Sequence, residues 1–116
     1  MKSPRLSIVV PVKDERDSLS QLLREIRSAV DAPFEGAWEL LFVDDGSRDG
    51  SWQELEKLAL EEPRIRAWRL RNNCGKAAAL SLAFSHCRGE YVATLDGELQ
   101  DDPQELVEMW KMLEEE

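Results

Sequence analysis

The chain has 116 residues, 42% of them hydrophobic and 34% charged, the composition of a folded chain and not of a disordered one. No apolar run approaches the roughly 18–20 residues of a membrane span, and Met-Lys-Ser-Pro is no secretion signal, so a cytoplasmic location is expected. A net charge of −9 argues against nucleic acid as a partner. The length suits a single domain over residues 1–116.

Leu6 to Val10 is a short β-branched run closed by Pro11, which predicts a first strand buried on both faces. Leu19, Leu22, Leu23, Ile26 and Val30 recur at helical spacing and predict a helix from Arg16 to Asp31. Leu40 to Val43 reads as a second strand, ended by Asp44-Asp45-Gly46-Ser47. Ser51 with Glu54 forms a capping-box pattern for a second helix, with Leu55, Leu58 and Ala59 inward and Pro63 as its stop. Ile65 to Leu70 is a third strand, with Arg64, Arg66, Arg69 and Arg71 along or beside it. Asn72 to Lys76 turns into a third helix whose stripe is Leu80, Ala83, Phe84 and Cys87. After Gly89, Tyr91 to Leu95 is a fourth strand. Asp102, Pro103 and Glu105 start a fourth helix, with Leu106, Val107, Trp110 and Leu113 inward.

Four strands alternating with four helices over short connections imply an α/β domain with a parallel sheet. In such sheets ligands bind beyond the carboxyl ends of the strands, near a topological switch point. All the polar motifs fall there. After the fourth strand come Asp96, Gly97, Glu98 and Gln100. In an extended segment Asp96, Glu98 and Gln100 share one side, and two carboxylates with an amide oxygen suit Mg2+ or Mn2+. The plainer alternative is an acidic, solvated turn ahead of a helix. After the second strand, one acid of Asp44-Asp45 can accept from a base N–H or a ribose hydroxyl while the other braces the turn; alternatively both cap the turn. Gly75-Lys76 offers a helix start and a cation to a phosphate.

Neither a P-loop nor a G-x-G-x-x-G after the first strand is present, which disfavours P-loop nucleotide hydrolysis and dinucleotide cofactors. Cys74 and Cys87 flank the third helix at a separation on the order of 20 Å, too far for a disulfide. His86 has no metal or triad partner in the pattern. A base-recognising acid together with a metal site for a diphosphate describes a nucleoside-diphosphate donor.

Four segments carry a resemblance in the correct order: Ser7 to Glu15, Phe42 to Gly50, Asn73 to Leu80, and Leu95 to Pro103. Together they resemble the motifs of family-2 glycosyltransferases, in the branch of dolichol-phosphate mannose synthases and bacterial polyprenyl-phosphate glycosyltransferases. The resemblance implies the Rossmann-like, nucleotide-binding half of a GT-A fold, a UDP- or GDP-sugar donor and a divalent metal. It implies that Pro11, Lys13 and Glu15 line the nucleotide pocket, that Val43 and Asp45 hold the base with Asp44 beside them, and that Gly97 lies against the nucleotide. Lys76 joins them from the third helix. Asp96, Glu98 and Gln100 would hold the metal.

The chain departs from the family where Lys13 and Asp14 replace an aromatic residue and Asn, and where Asp96-Gly97-Glu98 replaces Asp-Ala-Asp. Cys74 stands where an aromatic is common and Asp102 where proline is. The family's acceptor half, its catalytic groups and any membrane anchor are expected beyond Glu116, which makes this chain the donor-binding half. The expected reaction is metal-dependent, inverting transfer to a lipid phosphate, with a full-length parent at the cytoplasmic membrane face. An open sheet edge makes a homo-oligomer an expectation. The rival is a nucleotide-sugar-binding module without turnover. A phospho-accepting receiver domain fits less well, because its acid pair should follow the first strand.

Overall fold

The computed structural model describes residues 3–99 and 101–115. Its elements are β1 (Leu6–Val12), a 3-10 turn (Arg16–Ser18), α1 (Leu19–Val30), β2 (Trp38–Asp45) and α2 (Ser51–Glu61). They continue with β3 (Ile65–Leu70), α3 (Lys76–Phe84), β4 (Tyr91–Thr94) and α4 (Gln104–Glu114). The strands form one four-stranded sheet in the order β3-β2-β1-β4, and every pairing is parallel. This is the Rossmann-like α/β arrangement expected from the sequence.

The central strands are buried on both faces, β2 at every residue and β1 everywhere but Pro11. Residues of β1 pointing one way (Leu6, Ile8, Val10) pack with Leu22, Ile26, Phe34, Leu40 and Phe42 beneath α1, α2 and α4. On the other face Val9, Leu41 and Val43 meet Ala79 and Ala83 of α3. The chain steps outward from β1 to β2 to β3, then reverses to place β4 on the far side of β1. A constant right-handed crossover therefore puts α1 and α2 on one face and α3 on the other. The switch point falls between β1 and β4, whose tips carry Pro11 to Glu15 and Asp96 to Glu98.

Several boundaries differ from expectation for identifiable reasons. β1 runs past Pro11 to Val12, which pairs with Asp44. The carbonyls of Arg5 and Val9 accept the N–H groups of Tyr91 and Leu95, so alternate residues of β1 face β4. The nitrogen of Pro11 thus points past the end of β4, where no ladder bond is lost. The expected helix from Arg16 opens as a 3-10 turn and becomes α-helical only at Leu19.

No capping box forms at α2. Gly50, at φ 94°, is the N-cap, no side chain caps it, and Ser51 is already helical. The inward stripe of α3 is Ala79 and Ala83, while Phe84 is exposed; small residues let this helix lie close on β1 and β2. On α4 Val107 is buried and Trp110 packs on Phe34 at 4.4 Å between ring centroids, but Leu113 is exposed. Asp102 does serve this helix start, its Oδ1 accepting the Gln104 N–H at 3.0 Å. Among the described residues β4 is an edge strand, and Val92 on its α3-side face is half exposed.

Candidate functional site

The loop after β1 is laced to the loop after β2. The Asp14 N–H donates to Ser47 Oγ at 2.8 Å, and the Arg48 N–H donates back to Asp14 Oδ1 at 2.8 Å. The Glu15 N–H donates to Ser51 Oγ at 3.0 Å, and that hydroxyl donates to Asp49 Oδ1. Asp14 takes φ 52°, the left-handed region that Asp tolerates better than most residues. Lys13 Nζ donates to the Gly46 carbonyl at 2.8 Å and lies 3.6 Å from Asp14 Oδ2. Lys13 is thus a strut between two strand tips. Burial opposes ionisation of Asp49, but the Ser51 hydroxyl and the N–H groups of Arg16 and Ser51 outweigh it and hold its carboxyl below the usual range.

Asp45 shapes the next loop. Its two oxygens accept the N–H groups of Cys74 at 2.7 Å and Gly75 at 3.0 Å, fixing the start of α3 and hence Lys76. Asp44 is fully buried; its Oδ1 accepts the Ser47 N–H at 3.2 Å, and its Oδ2 lies 3.8 Å from Arg69 Nε with no hydrogen-bond partner. Asp44 braces the turn and Asp45 reaches the site.

The switch point brings three carboxylates together. One oxygen each from Glu15, Asp96 and Glu98 lies within 4.8 Å of the others. Glu15 Oε1 accepts the Lys13 N–H at 2.9 Å, whereas its buried Oε2 has no hydrogen-bond partner. Burial raises the Glu15 carboxyl above its ordinary range, against the Lys13 N–H; Asp96 and Glu98 add to the rise and Lys76 opposes it. Asp96 Oδ1 accepts the Glu98 N–H at 2.8 Å, and the Asp96 N–H donates to Asp101 Oδ2. Gly97 lies so close that a Cβ there would overlap the Glu15 carboxylate. Its carbonyl accepts the Ser18 hydroxyl at 2.6 Å, tying β4's tip to the start of α1.

Pro11, Lys13, Glu15, Asp45, Lys76, Asp96 and Glu98 line a single recess of about 180 Å³, with Val12 beside them. Gly97 adjoins it through Glu15. Val43 and Asp44 are wholly buried in the sheet and are not among the residues lining it. Gln100 lies outside the described residues. The motif pattern did not reveal Glu15 as part of the acid cluster, nor Ser18, Ser47, Asp49 and Ser51 as the groups that position it. The signal for Glu15 was the acid after Pro11, readable only once β1 and β4 are known to be neighbours.

An orphaned buried carboxylate oxygen, two further carboxylates within reach and a glycine cradle make a donor set of hard oxygens that fits a Mg2+- or Mn2+-like ion.

Fold and site define a parallel α/β domain that gathers its polar chemistry at the carboxyl switch point of the sheet. The profile of "Glycosyl transferase family 2" matches residues 7–116; the chain belongs to this family. It is 44% identical over 102 residues to an undecaprenyl-phosphate 4-deoxy-4-formamido-L-arabinose transferase of Pseudomonas fluorescens (strain SBW25), covering 87% of this chain and 30% of that protein. It is 38% identical to the protein of the same description in Salmonella choleraesuis (strain SC-B67), covering 88% and 31%. Among solved structures it is similar to a mannosyltransferase from Pyrobaculum calidifontis in complex with GDP-Man and Mn2+. There the TM-score is 0.81 at 28% identity, over 97% of this chain and 33% of that one. S. aureus TarS shares the fold at a TM-score of 0.75 and 21% identity, over 96% and 32%. The chain therefore spans about a third of the length of the curated relatives it matches. Among the described residues no helix is long and apolar enough to cross a membrane.

Proposed function

We propose that this chain is the donor-binding part of a metal-dependent, inverting glycosyltransferase that passes a sugar from a UDP- or GDP-sugar to a polyprenyl phosphate. The observation that carries the reading is the meeting of Glu15, Asp96 and Glu98 at the switch point, with Lys76 and Asp45 on the same recess. The relatives described as undecaprenyl-phosphate transferases support the lipid acceptor. The Pyrobaculum mannosyltransferase complex supports a nucleotide-sugar donor and a divalent ion.

In this reading Glu15, Asp96 and Glu98 hold the ion, and Gln100 is proposed with them. Bound there, a divalent cation neutralises the diphosphate charge that grows as the sugar leaves. Lys76 and the N–H groups at the start of α3 add positive potential for the phosphates. Asp45 keeps that helix start in place. Each carboxylate oxygen has two lone pairs, so Asp45 retains acceptor capacity for a base N–H. Pro11 and Lys13 form the wall beside it, with the Lys13 strut where an aromatic would stack. An acceptor phosphate is already anionic and attacks without a general base. A lipid-borne acceptor sets the working place at a cytoplasmic membrane face.

The test is a thermal-shift panel of UDP, GDP and their sugars with and without Mn2+. A ligand at 100 times its Kd stabilises by about 2.7 kcal/mol. Stabilisation by one nucleotide that requires Mn2+ is expected; no response to any member of the panel would overturn the donor-binding reading.

A further inference from the structure

At the opposite end of the sheet, where the strands begin, a second recess of about 660 Å³ opens between the starts of β1, β2 and β3. Its lining includes Trp38, Arg64, Arg66 and Arg88, together with Glu35 and Glu39.

The three arginines are not equally occupied. Arg64 Nε donates to the Gly36 carbonyl at 2.9 Å and its Nη1 to Glu62 Oε2 at 3.1 Å, and the group stands 5.1 Å from the Trp38 ring centre. It is a fixed wall. Arg66 spends only Nη2, on Glu39 Oε1 at 2.9 Å and on the His86 carbonyl. Its Nε is buried and has no acceptor. Arg88 is exposed, its backbone N–H donates to Glu39 Oε2 at 2.8 Å, and its guanidinium appears in none of the ion pairs among the described residues.

Glu39 is the acid facing this group from β2. It is 5% exposed, and its oxygens are already used by the Ser7 hydroxyl, Arg66 and the Arg88 N–H. Glu39 therefore balances Arg66 and Glu62 balances Arg64, which leaves Arg88 as the lining arginine with no ion pair among the described residues, with Glu35 also on the lining. One guanidinium with a donor left without an acceptor and a second with no ion pair among the described residues, both on the lining of one cavity, suit an oxygen anion. Planar guanidinium groups favour phosphate, which takes two parallel N–H bonds from each. The aromatic and proline surfaces of the recess suit an apolar body attached to that phosphate.

We propose that this recess is a second binding site, for a phosphate-bearing ligand held by Arg66 and Arg88 over Trp38. It is separate from the recess at the strand tips. β1 has seven residues, which at about 3.3 Å each puts the two sites on the order of 20 Å apart. The ligand's phosphate comes either from a soluble phosphoanion or from an anionic lipid headgroup.

The experiment titrates inorganic pyrophosphate into the 15N-labelled chain at constant ionic strength and follows the Arg Nε–H resonances. A saturable shift of the Arg66 Nε–H is expected, with at least fivefold weaker affinity in Arg88→Ala. The shift should persist with saturating UDP or GDP and Mn2+, which separates it from binding at the strand tips. A parallel arm floats the protein with vesicles of phosphatidylglycerol or phosphatidylcholine. Retention on phosphatidylglycerol alone, lost in Arg88→Ala, assigns a lipid headgroup; a pyrophosphate response without retention assigns a soluble phosphoanion. The proposal is overturned if shifts are confined to Lys76 and the tip of β1, or if Arg88→Ala changes neither arm.

Discussion

The carboxylate of Asp45 at the tip of β2 accepts the Gly75 N–H, thirty residues later, at 3.0 Å, and the neighbouring Cys74 N–H at 2.7 Å. One side chain thereby sets where α3 begins and where Lys76 stands. Asp45→Asn replaces one acceptor by an NH2 group that must face a backbone donor. A lost hydrogen bond at a charged group and an unsatisfied N–H should cost about 1–3 kcal/mol of stability. Nucleoside diphosphate affinity should fall about tenfold, or about 1.4 kcal/mol. Denaturant unfolding and titration calorimetry measure the two effects; unchanged affinity would remove Asp45 from the donor site.

The same junction constrains Gly46. It takes φ 74°, and a Cβ there would stand 2.8 Å from the Asn73 nitrogen and 2.9 Å from the Asn72 carbonyl carbon. These are backbone atoms that cannot swing aside. Gly46→Ala should therefore destabilise by about 1–3 kcal/mol through overpacking, with about 1 more for the left-handed backbone. Gly75→Ala is the control, because a Cβ at that position meets nothing within 4 Å although its φ is 95°. Equal melting temperatures for wild type and Gly46→Ala would show that the two loops are not in contact in solution.

Much of this arrangement was readable from the sequence. All four strands were named; β1 and β2 were the plainest, because central parallel strands are buried on both faces and read as unbroken hydrophobic stretches. The acids at the strand tips marked the functional edge. Strand order was not readable, since nothing in the pattern says that β4 returns to the far side of β1. Glu15 consequently read as a pocket wall and not as a neighbour of Asp96. The roles of Asp44 and Asp45 also depend on packing: adjacent residues of a strand point to opposite faces, and the pattern cannot say which one faces ligand. Ser51 looked like a cap because its spacing to Glu54 fits one, but its hydroxyl is engaged by Glu15 and Asp49.

Glu62 contributes to the pH dependence of the fold. Burial would raise its carboxyl, but the Arg64 N–H and the guanidinium groups of Arg27 and Arg64 outweigh burial and hold it below the ordinary value of 4.5. A carboxyl whose folded pKa is depressed stabilises the fold above its unfolded pKa and loses that contribution as pH falls through the folded value. Stability should therefore decline below about pH 4.5. Glu62→Gln should cost about 1.5–3 kcal/mol at neutral pH and flatten the acid limb. Wild type and variant are compared by urea unfolding between pH 3 and pH 7; parallel curves would show that Glu62 does not carry the dependence.

The acid cluster predicts that metal and nucleotide bind together. Glu15, Asp96 and Glu98 offer three carboxylates within 4.8 Å, whereas a Mg2+-like ion wants about six oxygens and gives up its waters reluctantly. A diphosphate supplies further oxygens, so Mn2+ should bind weakly alone and more tightly with the cognate nucleotide. By linkage, the factor by which nucleotide raises metal affinity equals the factor by which metal raises nucleotide affinity. Asp96→Ala should abolish this coupling, and Glu98→Asp should keep it. Glu15→Gln should weaken it. The same substitution should raise the melting temperature of the metal-free protein at neutral pH. The sign follows from the raised Glu15 carboxyl: its ionised form is disfavoured in the fold, so stability is lost as pH rises through its folded value, and a neutral amide removes that loss. Electron paramagnetic resonance of free Mn2+, with and without UDP or GDP, reads the coupling directly. Mn2+ bound equally well without nucleotide would make the three acids a structural ion site and take the donor-binding reading with it.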